Sequence, residues 1–490
     1  MRRKRKTVEY LYDLLKEHCG QDYYPFHMPG HKRRLHSIQE HPFAIDITEI
    51  DGFDNLHHPE DILKEAQQRA ARLYGSEESH FLINGSTAGI LSAVSACAFG
   101  GRTEILMARN SHKAAYHAVY LNRLSPVYLY PEPGEVNGPI GPEQVKAALE
   151  AHPQVCCVFL TSPTYDGIVS DINAIADIAH ARQIPLIVDE AHGAHFGMHP
   201  DFPENSVKLG ADYVIHSLHK TLPSLTQTAL LHVNGALADR RRLRRFLGIY
   251  QTSSPSYVLM ASIDECIRML EEKGDALFGQ FFDCRRDFSK SVSDLNCLRM
   301  LDTDDVSKIL IQDGTGRLSG LELYQLLLRK YHLQPEMAAG SYVLMLCSVG
   351  DTREGFKRLA EALHEVDRTL DGHTECMGQA EGMKRADSRM QAEGMKRADS
   401  RIQAEETYER PKVRMSIAGA QDSEAHPVQL EDCADLISAE YIYLYPPGIP
   451  LVVPGEVITE QLLERLLQYR SRGYSLQGME DYEMNTLLVV

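Results

Sequence analysis

The chain has 490 residues, of which 43% are hydrophobic and 24% charged, enough for two to four domains at about 150 residues each. No apolar stretch approaches the roughly 20 residues that span a bilayer, and the opening MRRKRKTVEYLYDLLKEH leads into an amphipathic pattern, so a soluble protein is expected. A net charge of -17 argues against a nucleic-acid partner and favours a cationic small molecule, while ten scattered cysteines without a CxxC suggest reducing cytoplasm.

In chain order, the basic RRKRK at 2–6 reads as a solvated terminus. Between residues 80 and 235, β-rich runs alternate with helical patterns. The predicted strands are HFLI (80–83), EILMA (104–108), PVYLY (126–130), VCCVFL (155–160), PLIVDE (185–190), DYVIHS (212–217) and ALLHV (229–233). Helices are predicted at AGILSAVSACAF (88–99), EQVKAALEAH (143–152) and INAIADIAHARQ (172–183). The strands are continuously apolar without strict alternation, as expected when both faces of a sheet are covered. This order predicts an α/β domain with a largely parallel sheet and a ligand site at the carboxyl ends of its strands.

From about residue 260 the strands are expected to thin out, with helical patterns such as ASIDECIRMLEEK and GLELYQLLLRKYH taking over. The expected division is an N-terminal arm at 1–30, a large domain at 31–260 and a small α+β domain at 261–490. The small domain carries a twelve-residue tandem repeat, QAEGMKRADSRM then QAEGMKRADSRI, within 379–402. Its polarity predicts an exposed helical or disordered insertion, and no function is assigned to it.

Three stretches carry chemistry. INGSTAGILSAV (83–94) sets Gly85, Ser86 and Thr87 between a strand and a helix start, where backbone NH groups can cradle a phosphate; a plain helix cap is the competing reading. LIVDEAHGAHFG (186–197) ends a buried strand with Asp189, followed by His192 and His195. A metal site, a ribose ligand and a partner for a protonated ring nitrogen all compete there. ADYVIHSLHKTLP delivers Lys220 from an apolar run into what reads as a small polar turn. Pyridoxal phosphate accounts for all three at once, because it needs an anion cradle, a carboxylate at its pyridine nitrogen and a lysine amine for its aldehyde. The large domain is then the cofactor-binding one.

With these residues in view, the chain resembles the pyridoxal-phosphate-dependent ornithine/lysine/arginine decarboxylases, in their short bacterial form. The resemblance runs from FHMPGHK (26–32) through DNLHHPEDILKEAQ (54–67), NGSTAG, RNSHKA (109–114), PTYDG (163–167), VDEAHGAHF and SLHKTLPSLTQTA to SAEYIYLYPPGIPLVVPGE (438–456). It implies fold type I, the aspartate-aminotransferase-like fold, with a mostly parallel seven-stranded sheet. Carried over residue by residue, it implies Lys220 as the Schiff-base lysine and Asp189 as the partner of the pyridine nitrogen. His112 would stack on the cofactor ring, with Ala191 on the opposite face. Gly85, Ser86, Thr87 and Ser217 would hold the phosphate, with His192 and His219 as further cofactor contacts. Lys220 or His219 would supply the proton after CO2 leaves. TSSPSY (252–257) resembles a segment that reaches a neighbouring subunit, implying a homodimer with shared active sites.

The expected activity is decarboxylation of a basic L-amino acid, with arginine favoured over lysine and ornithine by family analogy, in polyamine metabolism or acid tolerance. An aminotransferase would instead need an arginine clamp, for which Arg414 is the late candidate, and a non-catalytic regulator of the same fold is the other alternative. Reading the substrate's distal cation needs a carboxylate, and Asp46, Glu49, Asp51, Asp54 and Glu456 are the candidates.

Overall fold

The computed structural model describes residues 21–35, 42–380, 410–445 and 448–490, with side chains in the helix Arg353–Ala380 described through residue 372. The basic run at 2–6 lies outside the described residues, as does the repeat at 379–402 apart from the backbone of its first two positions.

After a short strand, β1 (Tyr24–Phe26), the central sheet is built from seven strands. These are β2 (Glu78–Leu82), β3 (Glu104–Ala108), β4 (Ser125–Leu129), β5 (Val155–Thr161), β6 (Leu186–Asp189), β7 (Tyr213–His216) and β8 (Ala229–Val233). Each falls within two residues of its predicted span. Their order across the sheet is β2-β8-β7-β6-β5-β3-β4. Only β8 is antiparallel to its neighbours, and the remaining pairs are parallel. Two successive antiparallel steps restore direction, so β2 points the same way as β7, and the loops after β2, β3, β5, β6 and β7 open at one edge.

Alternate residues of each strand enter different cores, which explains the absence of polar alternation. Ile105, Met107, Phe159, Ile187 and Ile215 pack with Ala93, Ala115 and Leu243 from the helices Gly85–Cys97, Lys113–Leu121 and Arg240–Tyr250. Their chain neighbours Leu106, Val158, Leu160, Val188 and Val214 pack on the other face with Val145 and Ile175, from the helices Pro142–Ala151 and Ile172–His180. Each such side chain contributes about 1.5–3 kcal/mol by leaving water.

Beyond residue 260 the structure corrects the expectation that strands thin out, because ten more appear among the described residues. They are β9 (Leu298–Leu301), β10 (Lys308–Asp313), β11 (Leu333–Pro335), β12 (Met337–Ala338), β13 (Tyr342–Leu346), β14 (His426–Gln429), β15 (Ile442–Leu444), β16 (Pro450–Val452), β17 (Leu476–Gln477) and β18 (Thr486–Val489). Most span four residues or fewer, too short to establish a period. β12, β13, β10 and β9 form one sheet, and β1 pairs with β11. The 35-residue helix Tyr257–Ser291 joins this part to the large domain, since its Ile263, Ile267 and Phe278 share a core with Leu63 and Ala70 of the helix Ile62–Tyr74 and with Ile309, Val343 and Leu359. The last strands enclose a separate core containing Leu430, Ile442, Val452, Leu466 and Leu487.

Candidate active site

The edge onto which β2, β3, β5, β6 and β7 open gathers most of the residues singled out in the sequence. Lys220 is not in a polar turn: it lies on the one-turn helix Leu218–Thr221 directly after β7. Burial pushes its amine below the usual lysine range, with Asp189 and Glu336 opposing that shift. Asp189 is the final residue of β6, paired in register with Ile215 of β7. Its Oδ1 accepts from the Ala191 N–H at 3.2 Å. Burial raises its carboxyl, and the charge of Lys220 is the largest opposing influence. A buried carboxylate in this condition favours a cationic N–H partner.

The loop after β2 supplies the anion cradle. Gly85 has φ +71°, a conformation that L side chains rarely adopt, and it starts the 13-residue helix Gly85–Cys97. The Asn84 side chain makes no capping hydrogen bond, so that helix N-terminus keeps its N–H groups for another acceptor. Ser86 does not cap it either: its Oγ lies 2.6 Å from Ser217 Oγ, joining the loops after β2 and β7. Thr87 is exposed at the same helix end. Two paired hydroxyls, an uncapped 13-residue helix, a buried carboxylate and a buried amine fit the phosphate, ring nitrogen and aldehyde of pyridoxal phosphate.

The histidines divide by partner. His112 caps the helix Lys113–Leu121, its Nδ1 accepting from Ala114 N at 3.2 Å, and burial holds it down at about 3. It is therefore neutral, with its proton on Nε2. His219 Nδ1 lies 3.0 Å from the Thr228 carbonyl and donates to it, and burial lowers its pKa to about 4. Its Nε2 is then a lone-pair acceptor. His192 Nε2 lies 2.9 Å from Lys220 Nζ. His195 Nε2 instead meets Asp305 Oδ1 at 3.0 Å. Asp189, His192 and His195 thus serve three different partners and do not converge as metal ligands would. Ala191 is buried beside Asp189.

Several site residues escaped the sequence reading. Tyr165, from the quoted PTYDG, packs edge-on against His192 with centroids 4.6 Å apart, and its hydroxyl donates to Glu336 Oε1 at 2.5 Å. Glu336 Oε2 accepts from Met28 N at 3.0 Å, and the Gly30 N–H donates to the His219 carbonyl at 2.8 Å, which seats FHMPGHK against the lysine's own helix. Lys308, the first residue of β10, lies 3.1 Å from His192 Nδ1. An aromatic after a proline and a lysine opening a strand are signals that many surfaces also carry.

The acids considered for the substrate's distal cation are used differently. Glu456 is buried against Arg109 at 3.2 Å and accepts from Val453 N at 2.9 Å. Asp54 accepts from the backbone N–H groups of Asn55, Glu60, Asp61 and Leu63, fixing the approach to the helix Ile62–Tyr74. Asp46 and Asp51 are exposed, whereas Glu49 is part-buried with an unpartnered Oε1. The Arg414 side chain is exposed.

The sequence profile described as "Orn/Lys/Arg decarboxylase, major domain" matches residues 10–367, and that of the same family's C-terminal domain matches 400–480. The chain is 31% identical to an arginine decarboxylase of Bacillus anthracis, covering 98% of this chain and 97% of that one. Among solved structures it is similar to lysine decarboxylase A from Pseudomonas aeruginosa, with a TM-score of 0.74 and 22% identity over 98% of this chain and 80% of that one. The constitutive lysine decarboxylase of E. coli superposes with a TM-score of 0.71 and 21% identity over 87% of this chain and 72% of that one. The chain therefore belongs to the ornithine/lysine/arginine decarboxylase family and is a carboxy-lyase whose cofactor is pyridoxal 5'-phosphate.

Proposed function

We propose that the protein decarboxylates L-arginine in preference to lysine or ornithine, releasing CO2 and agmatine, with Lys220 as the residue that binds the cofactor covalently. The observation that carries the site assignment is the burial of one lysine amine within the field of Asp189, next to the Ser86–Ser217 hydroxyl pair. The cofactor supplies an electron sink for the pair left behind by CO2.

The chain's own residues would do the rest. Ser86, Ser217, Thr87 and the N–H groups after Gly85 would hold the phosphate, and Asp189 would keep the pyridine nitrogen protonated. Neutral His112 and the small Ala191 would flank the ring, with His192 and His219 beside it. The residues that fix the substrate's orientation would select the bond that breaks. Lys220, freed as an amine, would hold and return a proton at the substrate's α carbon. The preference for arginine is supported by the similarity to the Bacillus anthracis arginine decarboxylase. Exposure of Arg414 disfavours it as the carboxylate clamp of an aminotransferase.

The active assembly would be a homodimer. Thr252, Ser253 and Ser254 are exposed, as expected of a segment reaching a second subunit, and Phe43, Ile50 and Phe53 expose apolar surface within one short stretch. Among the described residues no helix is long and apolar enough to cross a membrane. The enzyme would act in the cytoplasm, in polyamine metabolism or acid tolerance. Comparing kcat/KM for CO2 release from arginine, lysine and ornithine tests the reading. Arginine should be turned over fastest, without a keto acid; stoichiometric amino transfer to a keto acid, or preference for another basic amino acid, would overturn it.

A further inference from the structure

Asp166, within PTYDG, is a buried carboxylate with no place in the chemistry described so far. It is 2% exposed and forms no ion pair among the described residues. The Tyr342 hydroxyl donates to its Oδ1 at 2.6 Å, while Asn137 Nδ2 reaches Oδ2 at 3.5 Å, long for a hydrogen bond. Burial raises its carboxyl, opposed first by those two hydrogen bonds and only then by the charge of Lys308, whose amine is engaged with His192 at 3.1 Å. A carboxylate taken out of water in this way is costly unless a cation joins it.

The same residue lines a cavity of about 160 Å³, far more than one water fills. Two of the cavity's walls belong to the active site. Tyr165 packs on His192, with ring centroids 4.6 Å apart, and His192 stands 2.9 Å from Lys220 Nζ. Ile449 and Pro450 follow Gly448, where an added Cβ would lie 3.3 Å from the His112 ring. The cavity therefore adjoins the space between His112 and Lys220 where a substrate is held. Met337, Ala338, Leu444 and Leu451 give it apolar surface suited to methylene groups, and Asp166 is the one carboxylate of its lining. Arg109 also lines it, with its charge matched by Glu456. Neither Arg109 nor Arg465, from the helix Glu460–Ser471, ion-pairs with Asp166.

We propose that Asp166 is the specificity-determining carboxylate that reads the substrate's distal cation, and that this cavity receives the end of the substrate side chain. This rests on the reading that a basic amino acid is held at Lys220. Tyr342 and Asn137 each take one lone pair of the carboxylate, which leaves one on each oxygen for a planar guanidinium to meet in bidentate fashion. A purely structural Asp166, tying β13 to the loop after β5, would need hydrogen-bond acceptance and no charge, which an asparagine also offers at Oδ1. The charge is what separates the two roles.

The test uses the full-length, cofactor-loaded enzyme and two probes that lack an amino acid head and so cannot react with the cofactor. n-Butylguanidine carries the side chain of arginine, and n-butylurea is its neutral counterpart; both are measured as competitive inhibitors of CO2 release. The wild type should prefer the guanidine. D166N, which keeps the shape and an acceptor for Tyr342, should cut that preference by about 10–100-fold, as expected when a hydrogen bond to a charged group is lost, and should raise the KM for arginine by a like factor. An equal loss for guanidine and urea, as a structural role would give, or no loss for either, would overturn the proposal. Should D166N fail to fold, Y342F decides, because it keeps the charge and frees a lone pair: a preference kept or increased supports the proposal, and a lost preference contradicts it. Faster turnover of lysine or ornithine by the wild type is a separate failure, of the arginine reading, and D166N must then raise the KM of that substrate instead.

Discussion

Asp189 and Glu190 are neighbours in sequence, both buried, and serve different ends. On the proposed reading Asp189 serves the cofactor's ring nitrogen, so Asp189→Asn should still capture the cofactor at Lys220 while CO2 release falls by about 10²–10³-fold, as when one matched electrostatic partner is removed. Equal turnover in the variant would remove Asp189 from the mechanism. Glu190 belongs to a core network instead: it meets His216 Nε2 at 2.6 Å and Ser206 N at 3.2 Å, while His232 Nε2 meets His216 Nδ1 at 3.1 Å. Burial raises Glu190 from an ordinary value near 4.5 to about 8. Because the folded-state value is the higher one, its contribution to stability is complete below pH 4.5 and is lost as pH climbs through 8. Thermal melts should therefore show less loss of stability over that interval for Glu190→Gln than for the wild type. Lys220 and Asp189 were legible because each ends an apolar run with a group that burial penalises. Lys308, Tyr165 and Glu336 were not, because their partners are 116, 171 and 308 residues distant in the chain. Glu456 was misleading for the same reason: its partner Arg109 is 347 residues away, and Glu456→Met should cost about 3–5 kcal/mol by stranding a buried cation, with no change in substrate preference. Denaturant unfolding and relative turnover of the three basic amino acids check both parts.

At the scale of elements, the central sheet could be read from sequence because its strands are apolar on both faces and are separated by helices of ordinary length. The ten later strands could not, since strands of two to six residues leave no periodic signature and their pairing is set by tertiary contacts. FHMPGHK was recognised as a motif without a physical role. The structure supplies one at Gly30, where an added Cβ would lie 2.7 Å from Leu222 N and from the Thr221 carbonyl carbon. Backbone on both sides cannot yield as a flexible side chain would, so Gly30→Ala should push this segment off the helix Leu218–Thr221 that carries Lys220. The expected outcome is a drop in cofactor affinity with the central sheet intact, checked by equilibrium titration of pyridoxal phosphate alongside circular dichroism.

For the molecule as a whole, residues distributed from Gly85 to Glu336 converge because a mostly parallel sheet sends five loops to one edge, and the part built on β9–β13 closes over them with Lys308 and Glu336. Two lysines meet there across one histidine, and the account depends on which of them carries the cofactor. The decisive measurement is borohydride reduction of the pyridoxal-phosphate-loaded protein, followed by peptide mapping by mass spectrometry. The phosphopyridoxyl group should be found on Lys220; finding it on Lys308, or on no lysine of the site, would contradict the assignment.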